Sequence, residues 1–341
     1  MHRKKSWSLW PRARTMTSDA MNAPPKPAIP AIMALRDYGI YLALVALVAY
    51  FSMSIPEFRT WDNGLLILLQ VSVIGVIAVG MTFTIITAGI DLSVGSLLAV
   101  AGIVSGLFAQ KEPTALNMAI AFAAPIGIGL LGGALNGAII AIAGVNPLIV
   151  TLGTLTAFRG FVVWYRVNPI YNLRSYYQVV GQGAIAGLPI PVIILVAVAT
   201  LAWISLSFTR FGRYVYAVGG NREAARAAGI NVPLIIFSVY AISGLCVGVA
   251  ALIFTSRLMA AQAIAGQGFE LQAIAAAVIG GASLFGGRGS ISNTLVGAVI
   301  MGVLFNGFVM LDVPQPIQQM FVGVIIIVAV WVDGMLRKRR G

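Results

Sequence analysis

Apolar segments alternate with short polar breaks along the chain from residue 38 onward. Most of these segments approach the length of about 20 residues that a helix needs to cross the hydrocarbon core of a bilayer. The pattern predicts an all-α, polytopic integral membrane protein with about ten transmembrane helices. The predicted spans cover residues 39–55, 65–88, 93–109, 117–143, 147–165, 189–208, 233–255, 271–285, 291–311 and 316–332.

The composition strengthens the membrane prediction, because 59% of the residues are hydrophobic and only 9% are charged. A soluble domain cannot keep so apolar a surface in water. The formal net charge of +12 would indicate nucleic-acid binding in a soluble protein. Here most basic residues lie in the tails and loops that flank the apolar spans, and we expect no nucleic-acid partner.

Residues that carry catalytic or metal chemistry are scarce. Cys246 is the only cysteine and His2 the only histidine, which excludes an intramolecular disulfide and the cysteine-based metal sites. None of the five lysines completes a phosphate-binding loop of the form GxxxxGKS or GxxxxGKT. We therefore predict a chain that is not an enzyme and that binds no metal, no cofactor and no ATP of its own.

The distribution of basic residues predicts which side of the membrane each loop faces. Residues 1–36 are predicted to be a basic, disordered cytoplasmic tail, residues 37–336 the membrane domain, and residues 337–341 a second basic tail. With both tails and the loop at 209–232 in the cytoplasm, sixteen of the 22 basic residues lie inside and five outside. This distribution obeys the positive-inside rule.

The longest polar interruption runs from Arg210 to Pro233. Asn221 is suited to cap a short helix, and Gly229 suits the left-handed residue that ends one, which predicts a two-turn helix between them. Its surface consists mostly of small alanines flanked by two arginines. Such a helix docks in a groove on another protein or, alternatively, only connects two spans. The predicted docking residues are Asn221, Arg222, Glu223, Ala224, Ala225, Arg226 and Gly229.

An acidic residue interrupts the apolar pattern at Asp91, between Gly89 and Gly95. The interruption predicts a broken helix rather than a continuous one. We expect Asp91 to cap the helix that begins near Ser93. The alternative is a direct role in solute passage or proton coupling, because ionisable groups inside membranes are often functional.

A short internal sequence repeat relates the two halves of the chain. Gly89-Ile90-Asp91-Leu92 resembles Gly268-Phe269-Glu270-Leu271 at an offset of 179 residues. This repeat predicts two five-helix halves in inverted orientation. In that arrangement Asp91 and Glu270 fall on opposite sides of the membrane.

Uncharged polar residues within the apolar spans are candidates for a hydrophilic path, because hydroxyl and amide groups suit a neutral polar solute. Interhelical hydrogen bonding is the alternative for most of them. Arg159 is predicted to extend outward to the membrane surface. The outer segment 167–187 is predicted to be a solvated connector, with the docking of a soluble partner or a lid as the alternative. The path candidates and the helix-break residues are Asp91, Ser93, Asn136, Thr151, Asn306, Glu270 and Gln272.

Three long stretches of the chain resemble a known family. They are GMTFTIITAGIDLSVGS at 80–96, GRYVYAVGGNREAARAAGINV at 212–232 and GQGFELQAIAAAVIGGASLFGGRGS at 266–290. These stretches are similar to the signature segments of bacterial monosaccharide ABC importer permeases of the ribose, xylose and arabinose group. The resemblance extends from about residue 60 to residue 333.

The resemblance implies an inner-membrane permease, surrounded by lipid, that forms a dimer, expected to be a homodimer, around a translocation path. It further implies a periplasmic sugar-binding protein and a separate ATPase subunit that holds ATP and magnesium. The segment 221–229 then matches the coupling helix that docks in the ATPase. Permeases for nucleosides or branched-chain amino acids are the first alternative. An ion-coupled secondary transporter, with Asp91 and Glu270 as coupling acids, is the second.

Overall fold

The computed structural model describes the backbone of residues 30–338 and the side chains of residues 39–331 and 333–335. Residues 1–29 of the first predicted tail and residues 339–341 of the second lie outside this range. Contacts divide the chain at Gly39, and the architecture below concerns the unit that begins at Ile40. The first helix already begins at Pro30, inside the segment that was predicted to be a disordered tail.

In the described part of the chain, α-helices make up nearly all of the regular structure. They are α1 (Pro30–Ser54), α2 (Trp61–Ile86), α3 (Val94–Ala109), α4 (Ala115–Ile142), α5 (Pro147–Tyr165), α6 (Gln178–Gln182), α7 (Ile190–Phe208), α8 (Arg210–Gly220), α9 (Arg222–Ala227), α10 (Val232–Leu258), α11 (Phe269–Ile279), α12 (Ile291–Met310) and α13 (Gln315–Lys338). Short 3₁₀ helices cover Pro56–Arg59 and Ser175–Tyr177, and Ala184–Ile185 pairs antiparallel with Leu188–Pro189. Every predicted span contains one of these helices, so the all-α membrane fold is confirmed.

The helices differ in how far they can reach across a membrane. Within the described residues, seven are long and apolar enough to cross it, namely α2, α4, α5, α7, α10, α12 and α13. The 11 residues of α11 extend only about 16 Å, roughly half of the hydrocarbon core. The predicted span 271–285 is therefore wrong in its second half. Gly281, Gly286 and Gly287 adopt positive φ and form a loop there.

The centre of the bundle consists of α2 and α10. In the most apolar window of each helix, 61% of α2 and 67% of α10 is buried, against 12% of α13. Gly80 of α2 lies against Cys246, and nearer the start of α2, Gln70 shares a cavity with Arg257 near the end of α10. These contacts show that the two central helices run antiparallel.

The two halves of the chain repeat one packing pattern. An offset of 179 residues matches α2 with α10, α3 with α11, α4 with α12 and α5 with α13. In the structure α12 packs on α2 as α4 packs on α10, and α3 packs on α5 as α11 packs on α13. Because the matched pair α2 and α10 run antiparallel, four helices of each predicted half pack as inverted halves would.

Helices α4 and α10 approach so closely that their contact requires glycine. A Cβ on Gly133 would lie 2.3 Å from the carbonyl oxygen of Tyr240, and one on Gly129 would lie 2.3 Å from that of Gly244. Small residues permit this close approach of helices in membrane proteins. Gly127, on the same helix, faces open space.

Most residues of the segment 167–187 are exposed, as expected for a solvated connector, but a few buried residues anchor it to the bundle. The side chain of Tyr177 is fully buried and stacks on Phe122 with ring centroids 5.5 Å apart. The amide of Gly181 donates a hydrogen bond of 2.8 Å to the Ser256 hydroxyl. These contacts fix the segment against the end of α10.

We predict that Gly133→Leu lowers the free energy of unfolding by roughly 1–3 kcal/mol or more, because the added side chain forces two backbones apart. Thermal unfolding of the purified protein in detergent measures the change. Gly127→Leu is the matched control on the same helix and should melt close to the unmodified protein. Equal melting temperatures for the two variants would contradict the close packing of α4 on α10.

Candidate functional site

The polar interruption at 209–232 folds into two helices, α8 and α9, together called the α8–α9 unit. Asn221 caps α9 as predicted, because its Oδ1 accepts hydrogen bonds from the amides of Glu223 (2.9 Å) and Ala224 (3.0 Å). Gly229 has a φ of +80°, also as predicted. The helix itself spans only Arg222–Ala227, less than two turns. The preceding helix α8 was not anticipated.

The outer face of α9 is open to solvent. Glu223, Ala224 and Arg226 are exposed, and the guanidinium of Arg226 lies 3.2 Å from the Glu223 carboxylate. Ala225 is only 4% exposed and packs inward, so it is not available for docking, contrary to the prediction. Its burial holds α9 against the bundle while the other side chains stay accessible.

The inner face of the α8–α9 unit contacts the end of α2. An Nη2 hydrogen of Arg222 is donated to the Thr87 carbonyl oxygen at 3.1 Å. Gly219 lies so close to Ile86 that a Cβ would sit 1.7 Å from the Ile86 carbonyl oxygen. The unit is therefore in direct contact with the last residue of α2 and with the residue that follows it.

The same unit also contacts the loop after α11. The hydroxyl of Tyr216 donates to the Gly289 carbonyl oxygen at 2.8 Å, and the amide of Gly287 donates to the carbonyl oxygen of Ile86 at 2.8 Å. Burial raises the pKa of the Tyr216 phenol, which keeps its hydroxyl protonated as a donor. The α8–α9 unit, the end of α2 and the loop at 280–290 thus form one connected surface.

Asp91 lies just beyond that surface and is completely buried. Its Oδ1 accepts hydrogen bonds from the amide (3.1 Å) and hydroxyl (2.7 Å) of Ser93, and its Oδ2 accepts one from the Ser243 hydroxyl (2.9 Å). Asn136 donates to the Ser93 hydroxyl oxygen at 2.9 Å. We call Asp91, Ser93, Asn136 and Ser243 the Asp91 network. It joins the start of α3 to α4 and α10.

Asp91 does not cap α3 as predicted, because the amide that it binds belongs to Ser93, the residue just before α3, and not to the helix itself. Thr151 (3.2 Å) and Tyr240 (3.3 Å) donate to the carbonyl oxygen of the neighbouring Ile90. Within the described residues no basic side chain pairs with Asp91. Neutral donors alone therefore hold its carboxylate.

Glu270 lies beside the start of α3 rather than on the opposite side of the membrane. A Cβ on Gly95 would lie 2.4 Å from Glu270 Oε2 and 2.1 Å from the carbonyl oxygen of Gly266. The predicted separation of the two acidic motifs is therefore wrong. Because α3 and α11 are both short helices, their starts meet inside the bundle, and only glycine at position 95 permits the contact.

Arg159 does not extend to the membrane surface as predicted. Its guanidinium donates to the carbonyl oxygens of Ala263 and, at 3.0 Å, Ala265, both in the segment 259–268 that connects α10 to α11. This segment carries Gly266, which contacts α3. Arg159 thereby ties α5 to the segment that positions the start of α11.

Several path candidates bind other parts of the protein. Asn306 and Asn63 exchange two hydrogen bonds, of 3.1 and 2.7 Å, between α12 and α2. Thr151 donates to backbone carbonyls, and Asn136 belongs to the Asp91 network. These contacts agree with the alternative of interhelical hydrogen bonding. Among the predicted path residues, Gln272 and Glu270 line cavities.

Gln272 lies on the wall between two adjoining cavities of about 250 and 570 Å³. Both are at the end of the bundle opposite to the α8–α9 unit. Phe269, Gln272, Phe305, Val309 and Gln318 line both cavities. Gln70 lines only the smaller cavity, and Gln267, Glu270, Gln315 and Gln319 line only the larger. We call the two together the amide pocket.

Five of these glutamines were missed in the sequence analysis, namely Gln70, Gln267, Gln315, Gln318 and Gln319. Gln315, Gln318 and Gln319 occur at the start of an apolar span, at a spacing that places them on one face of a helix. That spacing was the available signal.

Comparison with known proteins identifies the chain's family. A family model described as the permease component of the branched-chain amino acid transport system matches residues 63–330. The chain belongs to this permease family.

Characterised relatives of the permease resemble it over most of their length. The ribose import permease protein RbsC of Haemophilus influenzae is 41% identical over 311 residues, which cover 90% of this chain and 95% of the relative. The D-allose transport system permease protein AlsC of Escherichia coli is 40% identical, covering 88% and 92%. The xylose transport system permease protein XylH of Haemophilus influenzae is 35% identical, covering 89% and 98%. No solved structure matches the chain.

We predict that Ser243→Ala lowers the free energy of unfolding by about 1.5–3 kcal/mol, because it removes a neutral donor from a buried carboxylate. Chemical or thermal unfolding in detergent measures the loss. Ser238→Ala is the matched control, since Ser238 is on the same helix and bonds only to the carbonyl of Leu234. If both variants unfold alike, Ser243 does not stabilise Asp91.

Proposed function

We propose that this chain is the permease subunit of an ABC importer that carries a monosaccharide, of the ribose type, across the bacterial inner membrane. The observation that carries the proposal is the identity of 35–41% over about nine tenths of the chain with permeases named for ribose, allose and xylose. The family description names branched-chain amino acids. Transport of those amino acids or of nucleosides is therefore the alternative.

The proposed orientation places the α8–α9 unit and both termini in the cytoplasm. It is supported by the excess of basic residues at that end. The amide pocket and the segment 167–187 then face the periplasm, where a sugar-binding protein delivers the solute. The apolar outer surfaces of α5 and α13 face lipid or a second copy of the chain.

A separate ATPase subunit, which holds ATP and magnesium, docks on the outer face of α9. That face combines the small side chain of Ala224 with the exposed groups of Glu223 and Arg226. A narrow helix with few bulky side chains fits a groove on another protein. Because Ala225 anchors α9 to the bundle, a push on α9 moves the whole α8–α9 unit.

Closure of the ATPase subunits shifts the α8–α9 unit as a rigid body. Arg222 binds the Thr87 carbonyl, and Thr87 is four residues from Asp91, so the shift reaches the start of α3. The Asp91 network carries it to α4 and α10. Separation of Gly95 from Gly266 then opens a passage between the starts of α3 and α11.

Two rival proposals have distinct outcomes in a reconstituted system. An ion-coupled transporter with Asp91 and Glu270 as coupling acids would import solute without ATP and stop when the ion gradient collapses. An amino-acid permease would import leucine rather than D-ribose. The outcome expected here is import of D-ribose that requires ATP and does not depend on the ion gradient.

We predict that Arg222→Ala preserves ATPase binding but reduces import per ATP hydrolysed at least several-fold, because it removes the contact with Thr87. The measurement compares ATP hydrolysis with uptake in proteoliposomes that contain the permease, its ATPase and its binding protein. Arg213→Ala is the control, because Arg213 is an exposed arginine of α8, away from the outer face of α9, and its side chain forms no hydrogen bond or ion pair with the described residues.

Charge reversal at both Arg222 and Arg226 should uncouple ATP hydrolysis from import while membrane insertion stays normal. Arg222→Ala with the import per ATP of the unmodified protein would overturn the proposed transmission through Thr87.

A further inference from the structure

The amide pocket has the chemistry of a solute site. We propose that it holds one monosaccharide during import and that Gln272, on the wall shared by both cavities, is a specificity-determining contact. This inference rests on the proposed function. It goes further by locating a sugar site within the membrane domain and by naming the side chains that touch the solute.

The first argument is the supply of unused hydrogen-bonding groups. Within the described residues, the side-chain amides of Gln70, Gln272, Gln315 and Gln319 form no hydrogen bond with the protein. Gln318 is buried and uses only Nε2, which donates to the Val313 carbonyl oxygen at 2.8 Å. Gln70 and Gln272 are half-buried and Gln315 and Gln319 are exposed, so all four amides are accessible and can bind water or a polar solute.

The second argument is the match between amides and sugar hydroxyls. Each glutamine side chain offers both a donor and an acceptor without a fixed charge, as each hydroxyl of a sugar does. Phe269 and Phe305 add apolar surface to both cavities, and the ring of Phe254 holds Phe269 in an edge-on contact with centroids 5.4 Å apart. A few polar groups among apolar walls are typical of small-molecule sites.

Size and position agree with this assignment. The smaller cavity alone has room for roughly eight water molecules, at about 30 Å³ each, and hence for one small polar solute. Gln70 lies about 14 Å along α2 from Trp61, which is at the end opposite to the α8–α9 unit. The pocket extends to Gly268 and Glu270, and the neighbouring Gly266 contacts Gly95. A bound solute therefore lies next to the contact between Gly95 and Gly266, which separates in the proposed transport step.

The charged residues of the pocket favour a neutral solute over an amino acid. Arg257 lines only the smaller cavity and Glu270 only the larger one. An α-amino acid carries its ammonium and its carboxylate on the same carbon atom and needs both charged partners at one place. Gln272, between the two cavities, offers an uncharged group where they meet.

The test measures import of D-ribose, D-allose and D-xylose by the complete transporter with Gln272→Leu or Gln70→Leu. We expect either variant to raise the KM for D-ribose at least tenfold or to change the preference among the three sugars. Gln178→Leu is the matched control, because Gln178 is an exposed glutamine outside the pocket. It should import as the unmodified protein does.

A second measurement does not depend on how well the leucine variants fold. Because Cys246 is the only cysteine, Gln272→Cys in a Cys246→Ala background gives a single thiol. D-ribose should slow its modification by a thiosulfonate reagent several-fold, and leucine should not.

Failure of the proposed function and failure of this inference are distinguishable. A transporter without substitutions that imports no monosaccharide contradicts the proposed function. D-ribose import with unchanged KM and sugar preference in both leucine variants, or no protection of the Gln272→Cys thiol by D-ribose, overturns the inference alone.

Discussion

The buried carboxylate of Asp91 is the constraint on which the rest of the structure depends. An ionisable group inside a membrane bundle is stable only if neighbouring groups satisfy it. Here three hydrogen bonds do so, two from Ser93 and one from Ser243. Because these donors lie on different helices, the carboxylate fixes the break after α2 and the start of α3 relative to α10. The break in turn positions the α8–α9 unit and the segment before α11.

Two structural features follow from that fixed break. On one side, the residues between α2 and α3 form a surface on which the α8–α9 unit rests, through Arg222 and Gly219. On the other side, the start of α3 meets the segment before α11 at Gly95 and Gly266. The amide pocket adjoins this second contact. The proposed ATPase-docking surface, the buried Asp91 network and the proposed solute site thus follow one another through direct contacts.

Local sequence signals predicted the features that depend on neighbouring residues. The ten apolar segments each contain a helix, and Asn221 and Gly229 begin and end α9 because capping is decided within a few residues. The offset of 179 residues between two short motifs also matched the inverted packing of the halves.

Features that depend on distant partners escaped prediction. Ser243 lies 152 residues from Asp91, and the partners of Arg159 are backbone carbonyls that no side-chain pattern marks. The early end of α11 depends on glycines with positive φ inside a stretch of continuous apolar character. The glutamines of α13 showed helical spacing, but which neighbour their face meets is a property of the folded bundle.

The most direct test of this account is a double-mutant cycle on the sugar imported per ATP hydrolysed, with Arg222→Ala, Asp91→Asn and the combined variant in proteoliposomes. If one series of contacts carries the motion, the combined variant loses no more coupling than the more severe single variant. Additive losses would show that Arg222 and Asp91 act independently and would contradict transmission from the α8–α9 unit through the Asp91 network.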